Sequence, residues 1–228
     1  MGGNDFGEPD RSLVDDYVIA LARALRGRAR PSVCFLPTAS GDSREYLANF
    51  YTVFARRSEA DHLGLFDRTV ENLEGFVLDQ DAIIVGGGNT ANMLAVWRVH
   101  GLDRVLARAW QAGVVLAGTS AGANCWFEGS TTDSFGGLAA LADGLRLLPG
   151  SFSPHYDGEP MRRPTYRRLV GDGTLADGYA ADDGAALVFH GTELHEVVAS
   201  RPSARGYRVV RGASGEAVET ELPTRYLG

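Results

Sequence analysis

Apolar positions recur at helical spacing through residues 11–29, at Leu13, Val14, Tyr17, Val18, Leu21, Ala22 and Leu25. Arginines gather toward the end of that stretch, where a helix favours cations. The run Ser32-Val33-Cys34-Phe35-Leu36-Pro37 then reads as a short buried strand bounded by prolines. Cap-type residues from Ser40 to Glu45 open a second helix carrying Tyr46, Phe50, Val53 and Phe54. His62-Leu63-Gly64-Leu65-Phe66 reads as another strand, and Asn72 to Leu78 as a short helix. Asp81-Ala82-Ile83-Ile84-Val85 runs into three glycines and a helix with Met93, Leu94 and Trp97, and a further helix spans about Leu102 to Gln111. Strands alternating with helices across short connections predict an α/β fold with a mostly parallel, doubly wound sheet. After residue 124 the pattern changes to short strands separated by turn residues: 145–148, 185–189, 195–199 and 207–210. The C-terminal third is therefore expected to be partly antiparallel.

Size and composition narrow the class. A chain of 228 residues with 44% hydrophobic content can bury one substantial core, so one domain spanning 1–228 is expected. The start, Met1-Gly2-Gly3-Asn4-Asp5-Phe6, shows neither the basic nor the apolar part of a secretory leader, and no run of about 18 apolar residues occurs, so a cytoplasmic protein with no membrane partner is expected. Cys34 and Cys125 suit buried reduced thiols. A net charge of −7 and a pI near 5.2 argue against nucleic acid as a partner. All 22 basic residues are arginine, which removes a lysine nucleophile, a Schiff base and a P-loop lysine together.

Val114 to Asn124 carries the chemistry. An apolar strand enters Gly118-Thr119-Ser120-Ala121-Gly122 and then a small-residue helix start, the pattern of a nucleophile elbow. The pentapeptide alone fits equally a glycine-rich turn whose serine caps a helix. The surroundings favour the elbow. Ser120 would stand at a helix N-terminus with the Ala121 amide free for an oxyanion. Gly86-Gly87-Gly88 ends another strand on the same edge, and it lacks the spacing of a nucleotide loop, so its Gly87 or Gly88 amide is expected to join Ala121 in an oxyanion hole.

A serine needs an imidazole to take its proton. Of five histidines, His62 and His195 adjoin apolar runs, His100 ends a helix and His190 precedes a glycine turn. His155 alone lies in a Pro-stiffened, aromatic-flanked loop at a strand end, Phe152-Ser153-Pro154-His155-Tyr156-Asp157, and is the expected base. A carboxylate should fix its tautomer. Asp133, in a loop after the elbow helix, is preferred, with the Asp182-Asp183 pair as the alternative.

Gly-Gly-Gly-Asn-Thr at 86–90, Gly-Thr-Ser-Ala-Gly-Ala at 118–123, Pro-His-Tyr at 154–156 and Asp-Asp-Gly-Ala-Ala-Leu at 182–187 together resemble the peptidase E family of α-aspartyl dipeptidases, whose wider group includes cyanophycinase. The resemblance covers residues 30 to 210. It implies a fold related to class I glutamine amidotransferases, with serine where those have cysteine at the elbow. It further implies hydrolysis of the bond after an N-terminal aspartate, without metal or other cofactor, through an acyl-enzyme. Carried over by position, Ser120 is the nucleophile, His155 the base, Asp133 the acid, and Gly88 and Ala121 the oxyanion donors. Asn89, Thr90, Arg162 and Arg163 are the substrate-binding candidates, with Arg162 aligning best to the arginine that holds the aspartyl carboxylate. Arg167 and Arg168 crowd the same stretch, where some arginines are expected only to be solvated. The stretch between His155 and Arg162 is shorter than peptidase E leads one to expect. The partner expected is a small peptide. A cyanophycinase-like β-aspartyl hydrolase, a catalytically inactive binder of an acidic metabolite, and a homodimer all stay open.

Overall fold

The computed structural model describes residues 1–3 and 12–228. Asn4 to Phe6 and Arg11, which enter the readings above, lie outside the described residues. Helix α1 (Ser12–Arg26) leads into β1 (Ser32–Leu36), α2 (Arg44–Phe54), β2 (Glu59–His62), α3 (Leu73–Leu78), β3 (Ala82–Val85), α4 (Thr90–His100), α5 (Leu102–Gln111) and β4 (Val115–Gly118). These strands form a fully parallel sheet in the order β2-β1-β3-β4. Side chains along β1 alternate between the two faces, as the pleat requires. Val33 and Phe35 pack with Val18, Ile19 and Ala22 of α1 and Phe50 and Phe54 of α2, while Cys34 and Leu36 pack with Val77, Met93, Leu94, Trp97 and Leu106 of α3 to α5. A double-sided core of this kind explains why β1 and β3 read as unbroken apolar runs.

The second half is a different layer. After α6 (Ala121–Asn124) come β5 (Phe127–Thr132), β6 (Ala139–Leu141), β7 (Leu148–Ser153), α7 (Arg162–Gly171), β8 (Gly178–Ala181), β9 (Ala185–His190), β10 (Glu193–Ala199), β11 (Gly206–Arg211), β12 (Ala217–Leu222) and β13 (Thr224–Tyr226). Six of these form a mixed sheet, β12-β11-β8-β7-β5-β6, in which β7 runs parallel to both neighbours. Antiparallel pairs β8–β11, β11–β12 and β9–β10 bear out the expected change of pattern. Tyr166, Leu169 and Val170 of α7 cover one face with Tyr156, Tyr207 and Val209.

Two boundaries differ from the sequence reading. The strand expected at 62–66 is Glu59–His62, because Asp42 Oδ2 accepts the Leu65 and Phe66 amides and turns that stretch away from the sheet. The strand expected at 145–148 begins only at Leu148, after Arg146 has taken a positive φ of 58°. Cys34 and Cys125 are free and buried, and burial pushes both thiols upward, as expected of reduced core cysteines. Among the described residues no helix is long and apolar enough to cross a membrane.

Candidate active site

Ser120 follows β4 by two residues with φ 54° and ψ −116°, a backbone conformation that side-chain-bearing residues rarely adopt. Both flanking glycines are required by close approach. A Cβ on Gly118 would lie 2.0 Å from Gly122 O, and one on Gly122 would lie 2.3 Å from Val85 O. The helix behind the elbow, α6, has only four residues. Its dipole is correspondingly small, so the stabilisation expected from a helix N-terminus reduces to the single Ala121 amide.

Ser120 Oγ lies 2.8 Å from His155 Nε2, and His155 Nδ1 lies 2.8 Å from Asp183 Oδ1. With the proton on Nδ1, the imidazole donates to Asp183 and accepts from Ser120. His155 itself has φ 51°, a turn that lifts its ring off the end of β7. The Tyr156 amide donates to Ala181 O, and the Asp183 amide donates to Asp157 Oδ1, which ties the His155 loop to the Asp183 loop. Arg201 adds a clamp, donating to Asp183 O and pairing with Asp157. Side-chain exposures of 24% for His155 and 20% for Asp183 leave the pair reachable but largely shielded.

The carboxylate on His155 is thus Asp183, and Asp133 is not in that position. Thr132 Oγ1 accepts the Ser134 amide and turns the chain after β5, Ser134 Oγ accepts the Ala91 amide, and Asn89 Nδ2 donates to Ser134 O. This draws the loop toward the start of α4 and leaves Asp133 exposed. Asp182 is also elsewhere. Its Oδ2 accepts the Arg205 amide and the Tyr207 hydroxyl, and burial raises its pKa to about 6.

The triglycine turn does reach Ser120, since a Cβ on Gly87 would lie 3.3 Å from Ser120 Cβ. The Gly87 amide donates to the Tyr46 hydroxyl, so Gly88 remains as the second oxyanion candidate beside Ala121. Asn89 caps α4 by accepting the Asn92 amide, and Thr90 is 1% exposed beside Asn124 and Thr132. These two hold the loop in shape beside the start of α4. The arginine cluster divides. Arg162 is 3% exposed, donates to Thr131 O and pairs with Glu159, whereas Arg163 pairs with Glu219 over the rings of Tyr156 and Tyr207. Arg167 and Arg168 are exposed, as expected of solvated members. Thr131 Oγ1 is 2.8 Å from Ser153 Oγ, two residues before His155, which brings Arg162 to the same edge of the sheet as the imidazole. Sequence alone assigns no role to Asp157, Glu159 or Arg201; the one signal for them is that Asp157 lies two residues after His155. An apolar cleft of about 400 Å³ between α1, β4 and β9 has none of Ser120, His155 or Asp183 in its lining.

Residues 2–197 match the model of peptidase family S51. The chain is 49% identical over 230 residues to the uncharacterized peptidase YgaJ of Bacillus subtilis (strain 168), covering 100% of this chain and 97% of that protein. It is 28% identical to the uncharacterized peptidase Lmo0363 of Listeria monocytogenes over 72% of this chain and 84% of the relative. A crystal structure of a peptidase from an acI-B1 Actinobacterium superposes with a TM-score of 0.72 at 18% identity, covering 98% of this chain and 92% of the other. A putative peptidase E protein from Listeria monocytogenes EGD-e gives 0.56 at 19% identity, with 90% and 93% covered. The fold, the matched span and the relatives agree: the chain belongs to peptidase family S51, the peptidase E family.

Proposed function

We propose that the protein hydrolyses short peptides bearing an N-terminal aspartate, with Ser120 as nucleophile, His155 as base and Asp183 as the group that orients and compensates the imidazole. The observation that carries this reading is the unbroken hydrogen-bond chain from Ser120 Oγ through His155 to Asp183 on a strained elbow. His155 Nε2 takes the Ser120 proton as Oγ attacks the scissile carbonyl carbon. The Gly88 and Ala121 amides receive the oxyanion, and the imidazolium returns its proton to the departing amine. Water, deprotonated by the same nitrogen, then attacks the acyl-enzyme and frees Ser120.

Substrate choice rests on Arg162. A buried guanidinium presents a planar two-point donor that a carboxylate satisfies and an ammonium does not reproduce. Glu159 holds that fork, and its half-exposed side chain can yield it to the substrate's aspartyl group. Comparison of kcat/KM for Asp-Leu, Asn-Leu, Glu-Leu, Ala-Leu and β-Asp-Arg tests this. Asp-Leu should exceed Asn-Leu by about 30-fold or more, because a carboxylate can take over the guanidinium from Glu159 whereas a neutral amide cannot replace that ion pair. Arg162→Lys should narrow that ratio. Equal rates on Asp-Leu and Ala-Leu would remove the aspartyl preference and leave the serine chemistry standing, while a preference for β-Asp-Arg would move the activity to the cyanophycinase-like reading.

A further inference from the structure

We infer that Gly2 and Gly3 form a positioning strap for the His155–Asp183 pair, an inference that rests on the triad assignment above. The first three residues stitch the nucleophile turn to the acid turn. The Met1 nitrogen donates to Gly118 O at 3.0 Å, and the Ser120 amide donates back to Met1 O at 3.4 Å. One residue on, the Gly2 amide donates to Ala185 O at 2.9 Å and the Gly184 amide donates to Gly3 O at 3.0 Å. Main-chain bonds thus leave Met1 for the residues on either side of Thr119, and leave Gly2 and Gly3 for the residues just after Asp183. The two ends of the triad, carried on separate sheets, are joined by this segment.

Gly3 also lies directly against the catalytic hydrogen bond. A Cβ at residue 3 would stand 2.2 Å from Asp183 Oδ1, 2.6 Å from His155 Cε1 and 2.7 Å from His155 Nδ1. No L side chain fits there unless the carboxylate or the ring moves. The bare Cα of Gly3 therefore closes one flank of the Nδ1–Oδ1 bond to water and blocks the Asp183 side chain from swinging out. Gly2 is constrained differently, because its Cβ would meet backbone, 2.1 Å from Asp182 O. Substitution there must move the main chain, whereas substitution at Gly3 can be absorbed by two side chains.

Gly3→Ala should therefore lower kcat by about 10- to 100-fold with KM changed by less than about threefold, the signature of misplaced catalytic groups. The Nδ1–Oδ1 bond should give the parent a strongly deshielded His155 Nδ1 proton resonance, which should weaken or vanish in Gly3→Ala. Gly137→Ala, where an added methyl meets nothing within 4 Å, should match the parent in both. In an Asp183→Ser background the added effect of Gly3→Ala should fall to less than about threefold, since the obstructed carboxylate is gone and the His155 ring, no longer held by it, can turn away from the methyl; this cycle also serves if Gly3→Ala alone is poorly folded. Wild-type kcat and an unchanged Nδ1 resonance in Gly3→Ala would overturn the proposal, as would an undiminished loss in the Asp183→Ser background. The resonance is read without turnover. Activity retained by Ser120→Ala would thus remove the triad's catalytic role without deciding the strap, and a vanished resonance would still uphold the strap.

Discussion

The four-stranded and the six-stranded sheet contribute unequally to the site. The four-stranded parallel sheet brings one member of the proposed triad, Ser120, on a turn whose signals all lie within a few residues of sequence. The six-stranded mixed sheet brings the other two, His155 at the end of β7 and Asp183 at the end of β8, 28 residues apart in sequence and in contact only through strand pairing. Local chemistry can specify a turn, but strand order must specify a contact between loops.

Removing the contribution of either sheet tests this division most severely. Ser120→Ala and His155→Ala should each lower kcat/KM by about 10⁴-fold or more, because members of such a unit fail together. His62, His100, His190 and His195 variants should stay near the parent. More than a tenth of parental activity in Ser120→Ala, measured on Asp-Leu, would dismiss the elbow from the mechanism.

Within the mixed sheet, the next comparison is between two acids that flank the same histidine. β5 and β8 both run parallel to β7, and the registers Ser130↔Phe152 and Ser153↔Ala180 carry Asp133 and Asp182 level with His155 when extended past the strand ends. Asp183, one residue on, faces the opposite way from Asp182 and meets the imidazole. Asp183→Asn should reduce kcat by about 10³- to 10⁴-fold by upsetting the tautomer. Asp133→Asn should stay within about threefold. Reversed ranking in steady-state kinetics would return the acid to Asp133.

The smallest effect separates the adjacent aspartates through stability. Asp182 has its folded pKa raised by burial from 3.8 to about 6, so between those values the folded chain keeps a proton that the unfolded chain has released. Stability from this group is present below about pH 4 and is lost as pH rises to about 6. Asp182→Asn abolishes that slope, so the parent-minus-variant difference in Tm should fall over pH 4 to 6. A flat difference would show that Asp182 is not desolvated in the folded chain.

The parts of the fold legible in sequence share one physical property: their determinants are local. Val33 to Leu36, Ile83 to Val85 and the Gly118–Gly122 turn announce themselves by composition and spacing, and His155 by a stiffened loop. The acid did not, because Asp133 and Asp183 are equivalent in sequence and differ only in the hydrogen bonds that turn their loops: Thr132 and Ser134 for one, Asp157 and Arg201 for the other. Gly3 was invisible for a related reason, since its constraint comes from side chains about 150 and 180 positions away.

Ser120 and His155 both hold positive φ without being glycine. Conformations of this kind cost about 1–3 kcal/mol each, against a total stability of about 5–15 kcal/mol for a domain. The pair therefore ties a noticeable part of the fold's margin to two positions whose side chains carry the proposed chemistry. A variant carrying glycine at both positions would be released from that cost while giving up both side chains, so the proposed chemistry and the fold's robustness pull in opposite directions at these two residues.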